Sequence, residues 1–397
     1  MYYKDLNPGK RVLMGPGPSD VHPRVLKSLS TPLVGHLDPD FLTIMHETRE
    51  MLKEVFQTKN ELTIALSGTG SAGMEASLVN LLEPGDKAIV CINGLFAERM
   101  ADIVKRCGAE PVIVQAEWGN IIEPDQVKKT LEKTGKVKLV AIVHAETSTG
   151  VRQPLEEVSR LAKETGALFV VDAVTSLGGI PVETDQWNID AIYSGTQKCL
   201  SCPPGLSPVS FSETALQSIA QRDTPVQSWY LDIQMLKSYW GKERFYHHTA
   251  PINMIYGLRE ALRLVLEEGL LERFRRHQLH SNALVAGLEA MGLEMIAPAQ
   301  YRLPELNAVY IPEGIDDVTV RKALLNEYGI EIGGGLGKFK GKAWRIGLMG
   351  YSSSQANVML FLSALENILS ANDYPVADHG IVAADEIYKG EKRKFKD

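Results

Sequence analysis

The sequence lacks several features that define large classes of protein. It has no apolar run of the roughly 20 residues that a membrane-spanning helix needs, and its first residues, MYYKDLNPGKRV, lack the apolar core of a signal peptide. Four cysteines in 397 residues are too few for a disulfide framework. The net charge of -7 argues against nucleic-acid binding, which needs a dense basic face. We therefore expect a cytoplasmic protein whose partners are small molecules.

Regular alternation of apolar runs and helical patterns fills residues 60–212. Strands are predicted at 62–66, 87–92, 111–115, 139–143, 168–171, 191–194 and 208–211. Helices are predicted between them, at 96–107, 124–134 and 154–165. Strands that are apolar throughout, separated by amphipathic helices, are typical of a mainly parallel sheet that helices cover on both faces.

The two ends of the chain differ from this region. Two Gly-Pro steps in RVLMGPGPSD favour an extended arm. A long helical stretch at 255–292 leads into strands at 306–311, 330–333 and 344–348 and helices at 318–328 and 355–369. We predict an N-terminal arm (1–20), a large domain (21–265), a smaller C-terminal α/β domain (266–375) and a charged tail (376–397).

Three glycines, Gly68, Gly70 and Gly73, form a G-x-G-x-x-G motif between a predicted strand and a helical pattern. This motif is typical of a dinucleotide-binding turn, which also needs an Asp or Glu at the end of the next strand to bind the ribose hydroxyls. Asn93 stands there, so the ribose ligand is missing. A NAD-dependent oxidoreductase that uses residues 68–73 is kept as an alternative from a different class.

The same turn has the donors that a single phosphate needs. Backbone N–H groups at the N-terminus of a helix bind anions with help from the helix dipole. The hydroxyls of Thr69 and Ser71 add donors on either side of Gly70. The motif predicts a phosphate-binding turn. Taken alone, it also fits glycines that tighten a strand-to-helix connection without binding a ligand.

Two charged residues at the ends of later strands extend this prediction. Asp172 ends the apolar run LFVVD, and Lys198 follows the next strand in AIYSGTQKC. Ligands of parallel sheets bind beyond the carboxyl ends of the strands. A phosphate turn, a lysine that forms a Schiff base and a carboxylate that keeps the ring nitrogen protonated together match the needs of pyridoxal 5'-phosphate. The residues therefore predict a pyridoxal phosphate enzyme.

Motifs along nearly the whole chain carry a family resemblance. They are GPGPS (15–19), GH (35–36), SGTGSAGMEA (67–76), NGLFAER (93–99), HAETSTGV (144–151), VDAVTSLGG (171–179), SGTQKCLSCPPG (194–205), YHHTAP (246–251) and KAWRIGLMG (342–350). With these motifs in this order, the chain resembles the class V, fold-type I aminotransferases of the alanine–glyoxylate and serine–pyruvate group. The resemblance implies a large domain with a mainly parallel seven-stranded sheet and a smaller C-terminal α/β domain.

The resemblance also implies roles at the cofactor. Lys198 matches the Schiff-base lysine, and Asp172 matches the partner of the pyridine nitrogen. The positions that match phosphate ligands are Thr69, Gly70, Ser71 and Gln197. Thr147 matches a residue that contacts the hydroxyl side of the ring. Phe96 matches the residue that stacks on the ring face, which is often Trp in relatives.

Further matching positions imply substrate contacts and a dimer. Arg345 matches the residue that binds the substrate carboxylate, because its planar guanidinium group can donate two parallel hydrogen bonds to a carboxylate. His36 and Asn253 match possible substrate contacts. Tyr246 and Thr249 match residues that reach the phosphate of the partner subunit, which implies a homodimer.

The implied activity is ping-pong transamination from a small amino acid, alanine or serine, to glyoxylate or pyruvate. (S)-Ureidoglycine–glyoxylate transamination in purine catabolism is the alternative. A sulfur lyase of the same fold would need a cysteine in the C-terminal half, and none follows Cys202. No metal is expected, because adjacent His247 and His248 lack the Cys/His cluster that completes a metal site.

Overall fold

The computed structural model describes residues 3–241 and 245–394, with side chains as far as residue 391. The strands are β1 (Val12–Leu13), β2 (Leu62–Ser67), β3 (Lys87–Ile92), β4 (Glu110–Gln115), β5 (Leu139–Val143), β6 (Ala145–Glu146), β7 (Val151–Arg152), β8 (Leu168–Asp172), β9 (Ala191–Tyr193), β10 (Leu206–Phe211), β11 (Leu306–Tyr310), β12 (Ile330–Glu331), β13 (Gly333–Gly334) and β14 (Ala343–Gly347).

The helices alternate with these strands. They are α1 (Pro23–Leu29), α2 (Pro39–Phe56), α3 (Gly70–Leu81), α4 (Leu95–Arg106), α5 (Pro124–Thr134), α6 (Glu156–Glu164), α7 (Glu213–Ala220), α8 (Ile233–Trp240), α9 (Ile252–Glu268), α10 (Leu270–Ala290), α11 (Asp317–Glu327), α12 (Gln355–Ala371) and α13 (Gly380–Lys394). Short 3-10 turns lie at Ala299–Tyr301, Gly337–Phe339 and Gly350–Ser352.

In the part of the chain that the structure describes, seven strands form the large sheet in the order β2-β10-β9-β8-β5-β3-β4. The pairs β9–β8, β8–β5, β5–β3 and β3–β4 are parallel, and β10 is antiparallel to both of its neighbours. Every residue of β5 and β8 is buried, as expected for strands covered on both faces. The predicted mainly parallel, seven-stranded sheet is confirmed.

Helix α6 begins two residues later than the sequence predicts. The prediction placed the start at Pro154, but the helix starts at Glu156. The side-chain amide of Gln153 donates a hydrogen bond of 3.0 Å to the carbonyl of Pro154, so a side chain takes the place of a helical N–H on this carbonyl. The predicted helix at 154–165 is therefore correct in type and wrong at its start.

The long helical stretch predicted at 255–292 is two helices, α9 and α10, divided at Gly269. The backbone φ of Gly269 is +83°, in the left-handed region that favours glycine. The break separates two hydrophobic cores: α9 contributes residues up to Val265 to the core of the large sheet, and α10 contributes Ala283 and Leu284 to a second core. The prediction of a long helical stretch is confirmed, and the break at Gly269 was not predicted.

The second core lies under a small antiparallel sheet of order β11-β14-β13. The strand predicted at 330–333 is wrong as a single element, because β13 joins this sheet while β12 pairs in parallel with β1 of the N-terminal arm. Part of the segment expected to be a charged tail forms α13, which packs on α10 and buries Ala384 and Tyr388. The domain boundaries at residues 20, 265 and 375 stay predictions.

Among residues 3–241 and 245–394, no helix combines the length and the apolar character that a membrane span needs.

Candidate active site

Several loops that carry predicted site residues meet at the carboxyl edge of the large sheet. Helix α3 starts at Gly70 directly after β2, with Thr69 as its N-cap residue. A Cβ placed on Gly70 would lie 3.2 Å from Cγ2 of Val174 and 3.5 Å from Cα of Gly195. The predicted phosphate-binding turn therefore touches the loops that follow β8 and β9, which carry Asp172 and Lys198.

Asp172 ends β8 and is 2% exposed. Its Oδ1 accepts a hydrogen bond of 2.8 Å from the N–H of Val174, and its Oδ2 accepts one of 2.9 Å from the hydroxyl of Tyr193. Burial raises the pKa of Asp172 to about 6, while these hydrogen bonds and Lys198 favour its ionised form. The carboxylate is thus held in one orientation at the sheet edge.

Lys198 lies in the loop after β9 and is 8% exposed. Its Nζ donates a hydrogen bond to the carbonyl of Pro16 in the N-terminal arm. Burial, followed by the positive charge of Arg345, lowers the pKa of Lys198 to about 8. Gly17 has a φ of +106°, and a Cβ on it would lie 2.8 Å from Nζ of Lys198, so the arm passes the lysine where only glycine fits.

Arg345 lies on β14 and is 6% exposed. Its Nε donates to the carbonyl of Gly334 at 2.8 Å, and its Nη1 donates to the carbonyl of Thr147 at 3.2 Å. The hydroxyl of Thr147 is 2.7 Å from that of Thr175, in the loop after Asp172. Burial lowers the pKa of Arg345 to about 10, which leaves it a cation near neutral pH. Arg345, the predicted ligand of the substrate carboxylate, therefore lies beside Thr147, the predicted contact of the cofactor ring.

Glu146 belongs to this site and was missed from the sequence. It is fully buried, and its Oε1 accepts hydrogen bonds from the N–H and hydroxyl of Ser148 at 3.0 and 2.6 Å. Its Oε2 has no hydrogen-bond partner among the described residues. Burial raises the pKa of Glu146 to about 7, and Asp172 adds to the increase. The sequence feature that could have identified Glu146 is an acidic residue within the hydroxyl-rich stretch HAETSTG.

Phe96 and Gln197 occupy the rim of the site. The guanidinium of Arg99 lies 4.9 Å from the centre of the Phe96 ring, within the range of a cation–π contact. Gln197 precedes Lys198, and its buried Oε1 has no partner in the described part of the chain. A Cβ placed on Gly195 would lie 2.8 Å from this oxygen, so Gln197 lies against the loop that faces the phosphate-binding turn.

Tyr246, Thr249 and His36 form a separate group at the surface. The hydroxyls of Tyr246 and Thr249 are 3.2 Å apart, and the rings of Tyr246 and His36 are 5.1 Å apart. Tyr246 is 51% exposed. Nε2 of neighbouring His248 lies 2.8 Å from the hydroxyl of Ser67 at the end of β2. The group is thus connected to the strand that precedes the phosphate-binding turn, with its hydroxyls facing outward from this chain.

Asn253 is engaged elsewhere in the structure. Its side-chain amide donates hydrogen bonds of 2.7 and 3.3 Å to the carbonyls of Leu29 and Thr31, at the end of α1. Neither of these hydrogen bonds joins it to Lys198 or Arg345. The residue roles expected from the sequence, including those of Asn253 and His36, stay predictions.

Comparison with known proteins places this geometry in a family. A family model described as aminotransferase class V matches residues 24–352. The chain belongs to the class V aminotransferases. (S)-Ureidoglycine–glyoxylate transaminase of Bacillus subtilis strain 168 is 42% identical to it over 403 aligned residues, which cover 97% of this chain and 97% of that protein.

Solved structures of class V aminotransferases superimpose closely. Ureidoglycine–glyoxylate aminotransferase from Bacillus subtilis has a TM-score of 0.95 at 44% identity, covering 97% of this chain and 100% of that one. Alanine–glyoxylate aminotransferase from Nostoc sp. has a TM-score of 0.91 at 47% identity, covering 93% and 98%. The protein is therefore a fold-type I aminotransferase that depends on pyridoxal phosphate.

The residues at the sheet edge fit this cofactor. The turn at Thr69–Ser71 offers N–H groups to a phosphate, and the orphaned oxygens of Gln197 and Glu146 are acceptors at the same site. Asp172 is an acceptor suited to a protonated ring nitrogen, and Lys198 is a buried amine beside it. The family match argues against the dinucleotide interpretation of the glycine motif, and phosphate binding by this turn stays a prediction.

Proposed function

We propose that this aminotransferase moves the amino group of a small amino acid, alanine or serine, to glyoxylate or pyruvate. The observation that carries the proposal is that Arg345, a buried arginine, donates to the carbonyl of Thr147 at 3.2 Å at the same sheet edge where the buried Lys198 lies. The N–H groups of Arg345 that do not donate to Gly334 or Thr147 could bind an α-carboxylate. A small donor bound in this way would have its Cα directed toward Lys198. The side chains of alanine and serine are uncharged, so these donors need no second charged pocket besides the one at Arg345.

Each of these residues has one task in the proposed reaction. Pyridoxal phosphate, when bound, withdraws electrons from the Cα of the donor. Asp172 holds the ring proton that makes this withdrawal strong. The Nζ of Lys198 would accept the proton from the Cα of the donor and hold it for return during the transfer. Its pKa of about 8 leaves a useful neutral fraction at mildly alkaline pH, as a general base requires.

The same proposal includes a homodimer in which Tyr246 and Thr249 bind the phosphate of the partner subunit. Support comes from the exposed hydroxyl pair of these residues and from the exposed aromatic side chains of Trp229, Tyr230 and Phe245. Large exposed apolar side chains that form a contiguous patch favour a protein interface. The cytoplasmic location stays a prediction that cell fractionation can test.

Ureidoglycine as donor is the second candidate, favoured by the 42% identity to the Bacillus subtilis transaminase over nearly the whole chain. The polar residue available for a ureido group was expected to be Asn253. Its amide nitrogen already donates to two backbone carbonyls, so a ureido group would have to use the amide oxygen. The N–H groups of a ureido group could donate to that oxygen, so this contact favours neither donor, and the 47% identity to alanine–glyoxylate aminotransferase from Nostoc sp. supports alanine to a similar degree.

A half-reaction panel tests the proposal. The yellow protein loaded with pyridoxal phosphate is mixed with alanine, serine or ureidoglycine without an acceptor. Stopped flow then follows the loss of the absorbance that gives the protein its yellow colour. Fast bleaching by alanine or serine, and recovery on adding glyoxylate, is the expected result. Fast bleaching by ureidoglycine alone would replace it with the second candidate. A preparation that takes up no pyridoxal phosphate would reject both.

A further inference from the structure

Helix α10 begins beside the two loops that carry Asp172 and Lys198. Arg273, in its first turn, is 5% exposed. Its Nε donates a hydrogen bond of 2.8 Å to the carbonyl of Gly178, in the loop after Asp172, and its Nη2 donates to the carbonyl of Cys199, the residue after Lys198. One planar side chain thus connects the loops of the two residues that flank the cofactor site.

An ion pair between the buried Arg273 and the partly exposed Glu268 fixes this guanidinium in place. Nη1 of Arg273 donates to Oε2 of Glu268 at 2.6 Å, at the end of α9. Glu268 also pairs with Arg276, whose Nη1 donates to the carbonyl of Gly350 at 2.9 Å. A buried charge is costly to leave unpaired, so each member restricts the position of the others.

The next turn of α10 holds the loop that follows Arg345. Nε2 of His277 accepts a hydrogen bond of 2.9 Å from the N–H of Gly350, three residues beyond β14. Nδ1 of His277 donates to the carbonyl of Arg273 at 2.7 Å. The start of α10 therefore contacts the loops of Asp172, Lys198 and Arg345 together.

We propose that Arg273 is a positioning residue that sets the place of Lys198 relative to Asp172 and Arg345. The inference rests on the proposed function, since it concerns the same site. Arg273 touches neither substrate nor cofactor in this proposal and acts through the backbone of Gly178 and Cys199. A misplacement of a reacting group by about 1 Å can cost on the order of a hundredfold in rate.

The chemistry of the side chain explains why arginine is required. Its planar fork donates in three directions to Gly178, Cys199 and Glu268. A lysine ammonium is a point charge that cannot reach three acceptors in one plane. Arg273→Lys keeps the charge beside Glu268 and removes the simultaneous hydrogen bonds to the carbonyls of Gly178 and Cys199. Arg273→Ala also empties space beside a cavity of about 480 Å³ that Arg273 lines with Leu200 and Ser201.

The test compares Arg273→Ala and Arg273→Lys with Arg275→Ala. Arg275 is on the same helix, with a side chain that is 51% exposed and a salt bridge of 3.0 Å to Glu272. Two measurements are made on each full-length protein: the rate at which the apoprotein forms a borohydride-fixable bond with added pyridoxal phosphate, and kcat and KM for the donor that bleaches the wild-type protein.

Both Arg273 variants are expected to attach pyridoxal phosphate more slowly and to lose on the order of tenfold to a hundredfold in kcat. KM for the donor should change by less than about threefold, because Arg345 still binds the carboxylate. Arg275→Ala should match the wild type in both measurements. Millimolar guanidinium chloride should restore most of the lost rate of Arg273→Ala through the cavity, and urea at the same concentration should not.

The outcomes separate the two proposals. Wild-type protein that never binds pyridoxal phosphate would reject the proposed function. Wild-type binding with equal attachment rates and kcat in the Arg273 variants would reject the positioning role alone. A loss in Arg273→Ala that guanidinium does not restore, with Arg273→Lys equal to the wild type, would also reject it. If Arg273→Ala does not fold, Arg273→Lys decides by its kcat and KM.

Discussion

The hydroxyl of Tyr193 donates a hydrogen bond of 2.9 Å to Oδ2 of Asp172. The two residues are direct partners in the β8–β9 register, so the sheet itself aligns donor and acceptor. Burial and the neighbouring carboxylate raise the pKa of Tyr193 well above its usual value, which keeps its proton in place. The bond favours the ionised form of Asp172 and offsets part of the cost of its burial.

Tyr193→Phe should therefore weaken cofactor binding. A hydrogen bond to a charged group contributes about 1.5–3 kcal/mol, so the Kd for pyridoxal phosphate should rise by about tenfold or more. An absorbance titration of the apoprotein measures it. Tyr239→Phe, a buried tyrosine of the large core, is the matched control for losing a hydroxyl. Equal affinity in wild type and Tyr193→Phe would contradict the role given to this bond.

Lys198→Ala should abolish covalent capture of the cofactor while the phosphate-binding turn remains. Borohydride treatment followed by mass spectrometry should find the added mass on Lys198 in the wild type and on no lysine in the variant. Lys163→Ala, which removes a lysine paired with Asp190 at 3.1 Å, should keep the modification. Modification of a different residue in the wild type would show that Lys198 is not the attachment site.

Arg345→Lys should lower kcat/KM for the amino donor by about tenfold to a hundredfold, because the planar fork that binds a carboxylate is lost. Steady-state kinetics with alanine or serine measure this change. Arg302→Lys alters an arginine of the small domain that pairs with Glu289 at 2.9 Å and should leave kcat/KM unchanged. A similar loss in both variants would point to a general effect of arginine replacement on the fold.

Mixed dimers test the assignment of Tyr246 and Thr249 to the partner's site. Chains with Lys198→Ala and chains with both Tyr246→Phe and Thr249→Ala should each show little activity alone. After unfolding and refolding together, half of the dimers are mixed and contain one intact site, so activity should recover to about a quarter of the wild type. No recovery, with mixed dimers shown by native mass spectrometry, would place these residues in their own subunit's site.

Glu305 gives a prediction about stability and pH. Its side chain is fully buried, both of its carboxyl oxygens lack a partner within the described ranges, and burial raises its pKa from 4.5 to about 8. Between pH 4.5 and 8 the folded protein therefore binds more protons here than the unfolded chain. The contribution of this group to the free energy of unfolding falls as pH rises through that window.

Glu305→Gln removes the ionisation and keeps the size of the side chain. The free energy of unfolding of the variant relative to the wild type should therefore rise between pH 5 and pH 8. Urea denaturation of both apoproteins at the two pH values measures the change, and other titrating groups cancel in the comparison. A difference that stays constant with pH would contradict burial of an ionisable acid at this position.

The sequence predicted those parts of the site that depend on position along a strand. Asp172 could be found because it ends a buried apolar run, and Lys198 because it lies in the loop that follows the next one. Tyr193 could not, since its partner depends on the register between β8 and β9. The contact of Lys198 with Pro16 uses a backbone carbonyl, which any residue has. Arg273 lies 95 positions from Gly178, and no local pattern connects them.

The same distinction applies to the fold. The strands of the large sheet were predicted to within two residues, because a strand buried on both faces is apolar over its whole length. The helix break at Gly269 was missed because the apolar pattern continues across it. The left-handed φ of Gly269 and the packing of most of α10 on the second core separate the two helices, and both are properties of the folded chain.

The N-terminal arm is attached to both cores. Met14 is fully buried in the second core and exchanges backbone hydrogen bonds with Glu331 and Gly347, whereas Ser19 binds the carbonyls of Gln197 and Lys198. Residues 15–18 lie between these two attachments, and proline fixes φ at two of them. The strand that carries Arg345 and the loop that carries Lys198 are therefore held by the same short piece of backbone, so the spacing of the two side chains depends in part on a segment that contains no predicted site residue.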